Sequence, residues 1–386
     1  MKLQAVSCCP LTFNPSPLIC SSAAINRAAG TLTSSQRLRL TSRKATINLR
    51  LRRIVFVIVN VFVHASRVTL HNKMSSQRDI SIDIAKGICI FLMVMGHAAV
   101  PSFVFKWIYS FHMPFFFLVS GMFFNPVKYA QWYSFFKSRV KGLVIPYFSL
   151  SVIATMLFAL IGKVDFKAMF VGWGGVALWF IPVLFVSEVL FYGIWKAVAR
   201  FRNSRIYALA CAIVVLFAGY YCYICQIRFP LQLQVAGMGC FFYAVGYLFS
   251  GWFKTVSLKP WLVCVLMCLY MGAIQWLPTL DMCPNNFACF PLNQLMAIIG
   301  SLLVICLARV IALWNDCNSL YRFFNWAGKN TLVIVGFSQV IMAMINHDGS
   351  DYIGVMFSVI KYIGIWGVLY ILSRIFNKYI PFVVGK

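Results

Sequence analysis

From residue 81 onward the chain alternates between apolar stretches of roughly 20 residues, the length that crosses a bilayer as a helix, and short connections rich in charge or turn formers. The pattern predicts spans near residues 81–100, 105–125, 142–162, 175–196, 206–225, 234–253, 260–279, 292–314, 328–346 and 353–375. The expected architecture is an all-α, polytopic integral membrane protein of about ten transmembrane helices.

The connections orient these spans. Lys128, Lys137, Arg139, Lys141, Lys196, Arg200, Arg202, Arg205, Lys254, Lys259, Arg322, Lys329, Arg374 and Lys378 fall on one side, against Lys106, Lys163, Lys167 and Arg228 on the other. Lys and Arg are retained on the cytoplasmic side, so an even number of spans with both ends cytoplasmic is expected. A multi-pass bacterial-type inner (plasma) membrane protein fits this arrangement.

Residues 1–73 break the pattern. They carry eleven of the 34 Lys and Arg residues and no acid, with one apolar run, Ile54 to Ala65, too short to span. They read as a basic, disordered leader or an over-extended start, because Met74 opens a segment that runs directly into the first span. Residues 74–386 form the membrane domain.

Composition then narrows the function classes. Hydrophobic residues make up 61% of the 386, charged residues 11%, and the mean hydropathy is +0.83, which rules out a water-soluble fold. The net charge of +26 would suggest nucleic acid in a soluble protein; placed between apolar spans it reads as topology signal, so no nucleic-acid partner is expected. The fourteen cysteines lie mostly inside spans, where a thiol is a small apolar group. Cys222 and Cys225 lack a second pair of metal-ligand spacing, and Cys283 and Cys289 are candidates for a disulfide in an external loop. No metal site is expected.

The chemistry must lie in polar residues that a bilayer otherwise rejects. Lys86 and His97 are eleven residues apart in the first span, nearly on one helix face and about 16 Å apart along its axis. Asp83, one turn before Lys86, is placed to pair with it. The second span brings His112 to a similar depth in the run Phe111-His112-Met113-Pro114, with Pro114 breaking the helical ladder and Ser120-Gly121 allowing close packing. Either histidine alone reads equally as a structural group bonded to a neighbouring helix; together, beside an intramembrane cation, they point to a site. Glu188, the one glutamate in the chain, falls within the fourth span as a helix-pairing or site group.

These segments, Asp83 to Gly87 with Gly96-His97 and then Phe111 to Pro114 with Ser120-Gly121, resemble the opening motifs of the integral-membrane acyltransferase 3 family. Lys137-Ser-Arg139, Ile145-Pro146-Tyr147, Leu178-Trp179-Phe180-Ile181 and Gly328-Lys329-Asn330-Thr331-Leu332 follow in the family's order. The resemblance implies a ten-helix O-acetyltransferase-like enzyme, using acetyl-CoA as donor and a hydroxyl of a cell-surface polysaccharide or lipid-linked sugar as acceptor, with membrane lipid around it. Lys86 stands where many members carry Arg, and Phe337-Ser338-Gln339 occupies a stretch where many have another histidine. The catalytic candidates are His97, as base or acyl acceptor, His112 and Lys86. The substrate-binding candidates are Arg139, Ser120, Trp179 and Asp83. A transporter or flippase for a sugar or lipid-linked sugar is the rival reading, since buried polar groups also mark translocation paths; the expected internal symmetry of such folds is not evident.

Overall fold

Asp79 starts the first helix. Its carboxylate accepts the Ser81 backbone N–H at 3.1 Å and so satisfies one of the donors every helix start leaves bare, with Asp83 adding negative charge to the first turn. The helix, α1, runs Ile80–Gly96. In the computed structural model, residues 79–98, 100–160, 177–313, 318–345 and 352–385 are described, the side chains of 352–359 excepted. They all fall in one of the chain's two compact units; the other, Cys9–Leu70, lies outside the described residues, as do the whole basic leader and the Lys163–Lys167 connection.

After α1 come α2 (Ser102–Tyr109), α3 (His112–Met122) and α4 (Trp132–Arg139), the last leading through a wide π turn, Val140–Val144, into α5 (Ile145–Leu160). A 3-10 turn, Ala177–Trp179, opens α6 (Phe180–Val198), followed by α7 (Ser204–Ile224), α8 (Ala236–Leu248), α9 (Ser250–Thr255) and α10 (Pro260–Ile274). The chain closes with α11 (Leu292–Ala312), α12 (Ser319–Lys329), α13 (Thr331–Met344) and α14 (Tyr352–Tyr379). Among the described residues there are helices and no strands.

Each of the ten expected segments contains a helix, but length and apolarity together admit fewer crossings. Six helical stretches satisfy both, and α12 with α13 make a seventh if that pair, bent by 92°, is counted as one span. α1 has 17 residues and α10 has 15, which places them at or under the short limit for a span.

Two backbone-to-backbone crossings bind the bundle. A Cβ placed on Gly87 of α1 would sit on the Phe324 carbonyl of α12, and one on Gly328 of α12 would sit on the Asp83 carbonyl of α1. Gly121 of α3 and Gly246 of α8 lock in the same reciprocal way, against the Tyr243 and Leu118 carbonyls. In lipid, where tails are as apolar as side chains, such close approach supplies helix association through dispersion contacts. The first crossing brings the Asp83-to-Gly87 segment against Gly328-Lys329, motifs from opposite ends of the domain. At the bend, Asn330 donates to the Trp326 carbonyl at 2.8 Å and accepts from Asn377 of α14 at 2.7 Å. Asn330 thus satisfies the broken ladder and ties it to the last helix.

Candidate functional site

The site begins at the break between α2 and α3. Proline clashes with the carbonyl four residues before it, and for Pro114 that residue is Ser110, where the helix does break. Pro114 itself sits in the first turn of α3, so the interruption lies one turn earlier than the position of the proline. Ser110 Oγ compensates by donating to the Trp107 carbonyl at 2.6 Å, and it pairs with Tyr270 Oη of α10 at 2.7 Å.

His112, now the first residue of α3, reaches back across the break: its Nδ1 lies 2.8 Å from the Ile108 carbonyl oxygen. A carbonyl only accepts, so Nδ1 carries the proton and Nε2 keeps its lone pair. His97 caps α1, its backbone N–H bonding to the Met93 carbonyl at 3.2 Å. Tyr109 stands between the two imidazoles, with ring centroids 6.4 Å from His97 and 4.9 Å from His112.

Along α1 and α3 from these residues lies a small apolar cavity of about 40 Å³. Ile90 and Met93 of α1, Met113 and Phe116 of α3, Ala177 and Phe180 at the head of α6, and Thr331, Leu332 and Val335 of α13 line it. Met93 is one turn below His97, and Met113 adjoins His112. The quoted segments around His112, Trp179 and Asn330, distant in sequence, therefore meet α1 at one space. Phe180 is held edge-on to Phe117 at 5.2 Å and tilted against Phe116 at 5.7 Å, which fixes that wall.

The remaining candidates are not gathered there. Lys86 pairs with Asp83 at 3.5 Å and lies 5.7 Å above the Phe123 ring, whose centroid is 5.1 Å from Lys254 Nζ. This basic pair occupies the Asp79 end of α1, while His97 occupies the other, and the cavity is walled by residues between the two. Neither Lys86 nor His97 lines that cavity. Ser120 is half-buried, eight residues along α3 from His112 and so about 12 Å away along the axis. Trp179 is enclosed at 5% exposure, its neighbours Ala177 and Phe180 forming the cavity wall in its place.

Arg139 forms an ion pair with Glu188 of α6 at 3.0 Å, with side chains 21% and 2% exposed. The guanidinium lies 5.2 Å from the Tyr129 ring centroid and 5.5 Å from that of Phe135, which itself stacks on Tyr192 at 4.1 Å. Cys283 and Cys289 are both free thiols, as are Cys222 and Cys225. Among the described residues no three His, Cys, Asp or Glu side chains converge as a metal-ligand set.

A family model described as an acyltransferase domain, that of acyltransferase 3, matches residues 79–377. The chain belongs to the acyltransferase 3 family. That model describes an acyltransferase domain, and the matched region holds the helices long and apolar enough to cross a membrane. The chain is also similar to the nodulation protein NolL of Mesorhizobium japonicum (strain LMG 29417 / CECT 9101 / MAFF 303099), with 29% identity over 224 residues, covering 50% of this chain and 54% of the relative. The chain thus matches about half the length of that curated relative. No solved structure matches.

Two features of the site are not legible in the sequence. Tyr109 lies three residues before His112, a spacing that shares a helix face in a continuous helix, and the break hides it. Arg139 and Glu188 are 49 residues apart, and nothing in either segment announces the other.

Proposed function

We propose that this acyltransferase moves a short acyl group, acetyl in the simplest case, from acyl-CoA to a hydroxyl of a cell-surface polysaccharide or lipid-linked sugar. It does so across a ten-span bundle of the bacterial inner membrane with both ends cytoplasmic. The observation that carries the reading is the pair of imidazoles flanking Tyr109 beside an apolar cavity that residues of the distant family segments line together.

In this reading His97 takes the proton of the acceptor hydroxyl as that oxygen attacks the thioester carbonyl. The C–S bond breaks, and the thiolate leaves with the proton that His97 has taken, which returns the imidazole to neutrality. A two-step variant has His97 receive the acyl group first and pass it on. His112, its Nδ1–H given to Ile108, offers Nε2 as an acceptor that orients the hydroxyl or the partner ring. Lys86, neutralised in part by Asp83 and accompanied by Lys254, supplies positive charge at the opposite end for the donor's phosphates. Arg139, whose charge Glu188 balances, is assigned to helix pairing; Ser120 and Trp179 support walls.

Radiolabelled acetyl-CoA offered to membranes carrying the wild type or His97→Ala tests this. Label should enter glycan in the wild type alone, and transfer that persists in His97→Ala at equal protein level refutes the role of His97. Lys86→Ala should raise the KM for the donor more than it lowers kcat.

A further inference from the structure

Resting on that reading, we infer that the cavity between α1, α3, α6 and α13 is the pocket for the acyl chain, and that Met93, Met113 and Phe180 set the chain length it accepts. The chemistry of its wall makes the argument. Apart from Thr331, the lining side chains present only carbon and sulfur. A sugar, a phosphate or an amide entering such a space leaves its polar groups without partners, which is penalised heavily. Of all parts of a thioester donor and a hydroxyl acceptor, the acyl tail alone has nothing to hydrogen-bond and gains from leaving water.

Position supports the same occupant. Met93 carries the carbonyl that accepts the His97 backbone N–H, and Met113 follows His112 directly, so two residues of the pocket wall adjoin the two histidines along their helices. Its far wall does not yield easily, because Phe180 is pinned between Phe116 and Phe117. Methionine is the adaptable element of such a wall, unbranched and polarizable. Two methionines beside the two histidines and a fixed aromatic wall therefore define a short slot that a longer chain overfills.

The test compares acetyl-, propionyl-, butyryl- and hexanoyl-CoA on one acceptor, as kcat/KM, in the wild type, Met113→Ala, Phe180→Ala, Val335→Phe and Met113→Leu. One methylene in an apolar pocket discriminates by about tenfold or more. Met113→Ala and Phe180→Ala should raise the butyryl-to-acetyl ratio by about that factor, and Val335→Phe should lower it. Met113→Leu, close in volume, should keep the wild-type ratio. Because each ratio is internal to one variant, partial loss of folded protein does not move it. Ratios unchanged within twofold or so across the series, with acetyl transfer intact, overturn the pocket and leave the transferase reading standing. Absence of transfer from every donor by the wild type removes that reading and the pocket with it.

Discussion

The Arg139–Glu188 pair offers the sharpest physical test, because its two roles predict opposite patterns. Glu188 is 2% exposed and its Oε2 lies 3.0 Å from Arg139 Nε, inside an aromatic enclosure made by Tyr129 and Phe135. Two desolvated charges at that distance balance each other, and removing one strands the other. Breaking a buried pair costs about 3–5 kcal/mol, whereas replacing both members with apolar side chains of similar size is often neutral. Glu188→Gln should therefore destabilise by about 3 kcal/mol or more, since a guanidinium cannot shed its proton to escape. Arg139→Met should cost less, because a stranded carboxylic acid can neutralise itself by binding a proton.

The double variant Arg139→Met/Glu188→Leu should return to within about 1 kcal/mol of the wild type, a coupling of several kcal/mol in the double-mutant cycle. Thermal and SDS-induced unfolding of the detergent-purified protein measure the four corners of the cycle, and donor KM is read alongside. If the single costs simply add, the pair is not a structural lock. If, in addition, the double variant folds normally but its donor KM rises tenfold or so, Arg139 is a phosphate contact and the assignment to helix pairing is wrong.

Two further outcomes follow from named contacts. Gly87→Ala and Gly328→Ala place a methyl on a backbone carbonyl that has no rotamer to yield, so each should cost about 1–3 kcal/mol or more in the same unfolding assay. Gly367→Ala in α14, with nothing within 4 Å of its Cβ, should be neutral or stabilise by up to about 1 kcal/mol. Asp281, in the connection between α10 and α11, has its carboxyl pushed up to about 6 by burial, against the bond it accepts from the Cys283 N–H. Its folded pKa exceeds the unfolded one, so the folded state favours the proton. Stability should be greatest below about pH 4 and fall by about 2–3 kcal/mol as pH rises through 6, with Asp281→Asn removing that part of the slope.

The helix positions were legible because a bilayer imposes length and apolarity on every crossing, and both are written in consecutive residues. At α1 and α10 the helices are shorter than the apolar stretches that contain them. The approach of both histidines to Tyr109 follows from their places in the chain, since His97 closes α1 and His112 opens α3 with α2 between them. What the sequence does not carry is the set of contacts that join distant segments, Gly87 on Phe324, Arg139 on Glu188, and Met93 and Val335 on one cavity, since one chain's pattern encodes which face of a helix is buried but not against which neighbour.

Pro114 links the two levels. A continuous helix from Ser102 to Met122 would give the Ile108 carbonyl the backbone N–H of His112, as it gives every carbonyl the amide four residues on. The proline forces the break at Ser110, and the side chain of His112 bonds to that carbonyl. The same event turns α3 so that Met113 and Phe116 face the cavity while Gly121 meets α8. The tautomer of His112, the wall of the pocket and the tightest helix crossing in that half of the bundle thus trace to one residue without a backbone N–H. In this chain the imidazole of His112 needs the break to have a carbonyl to hold, and the cavity needs the turn that the break creates.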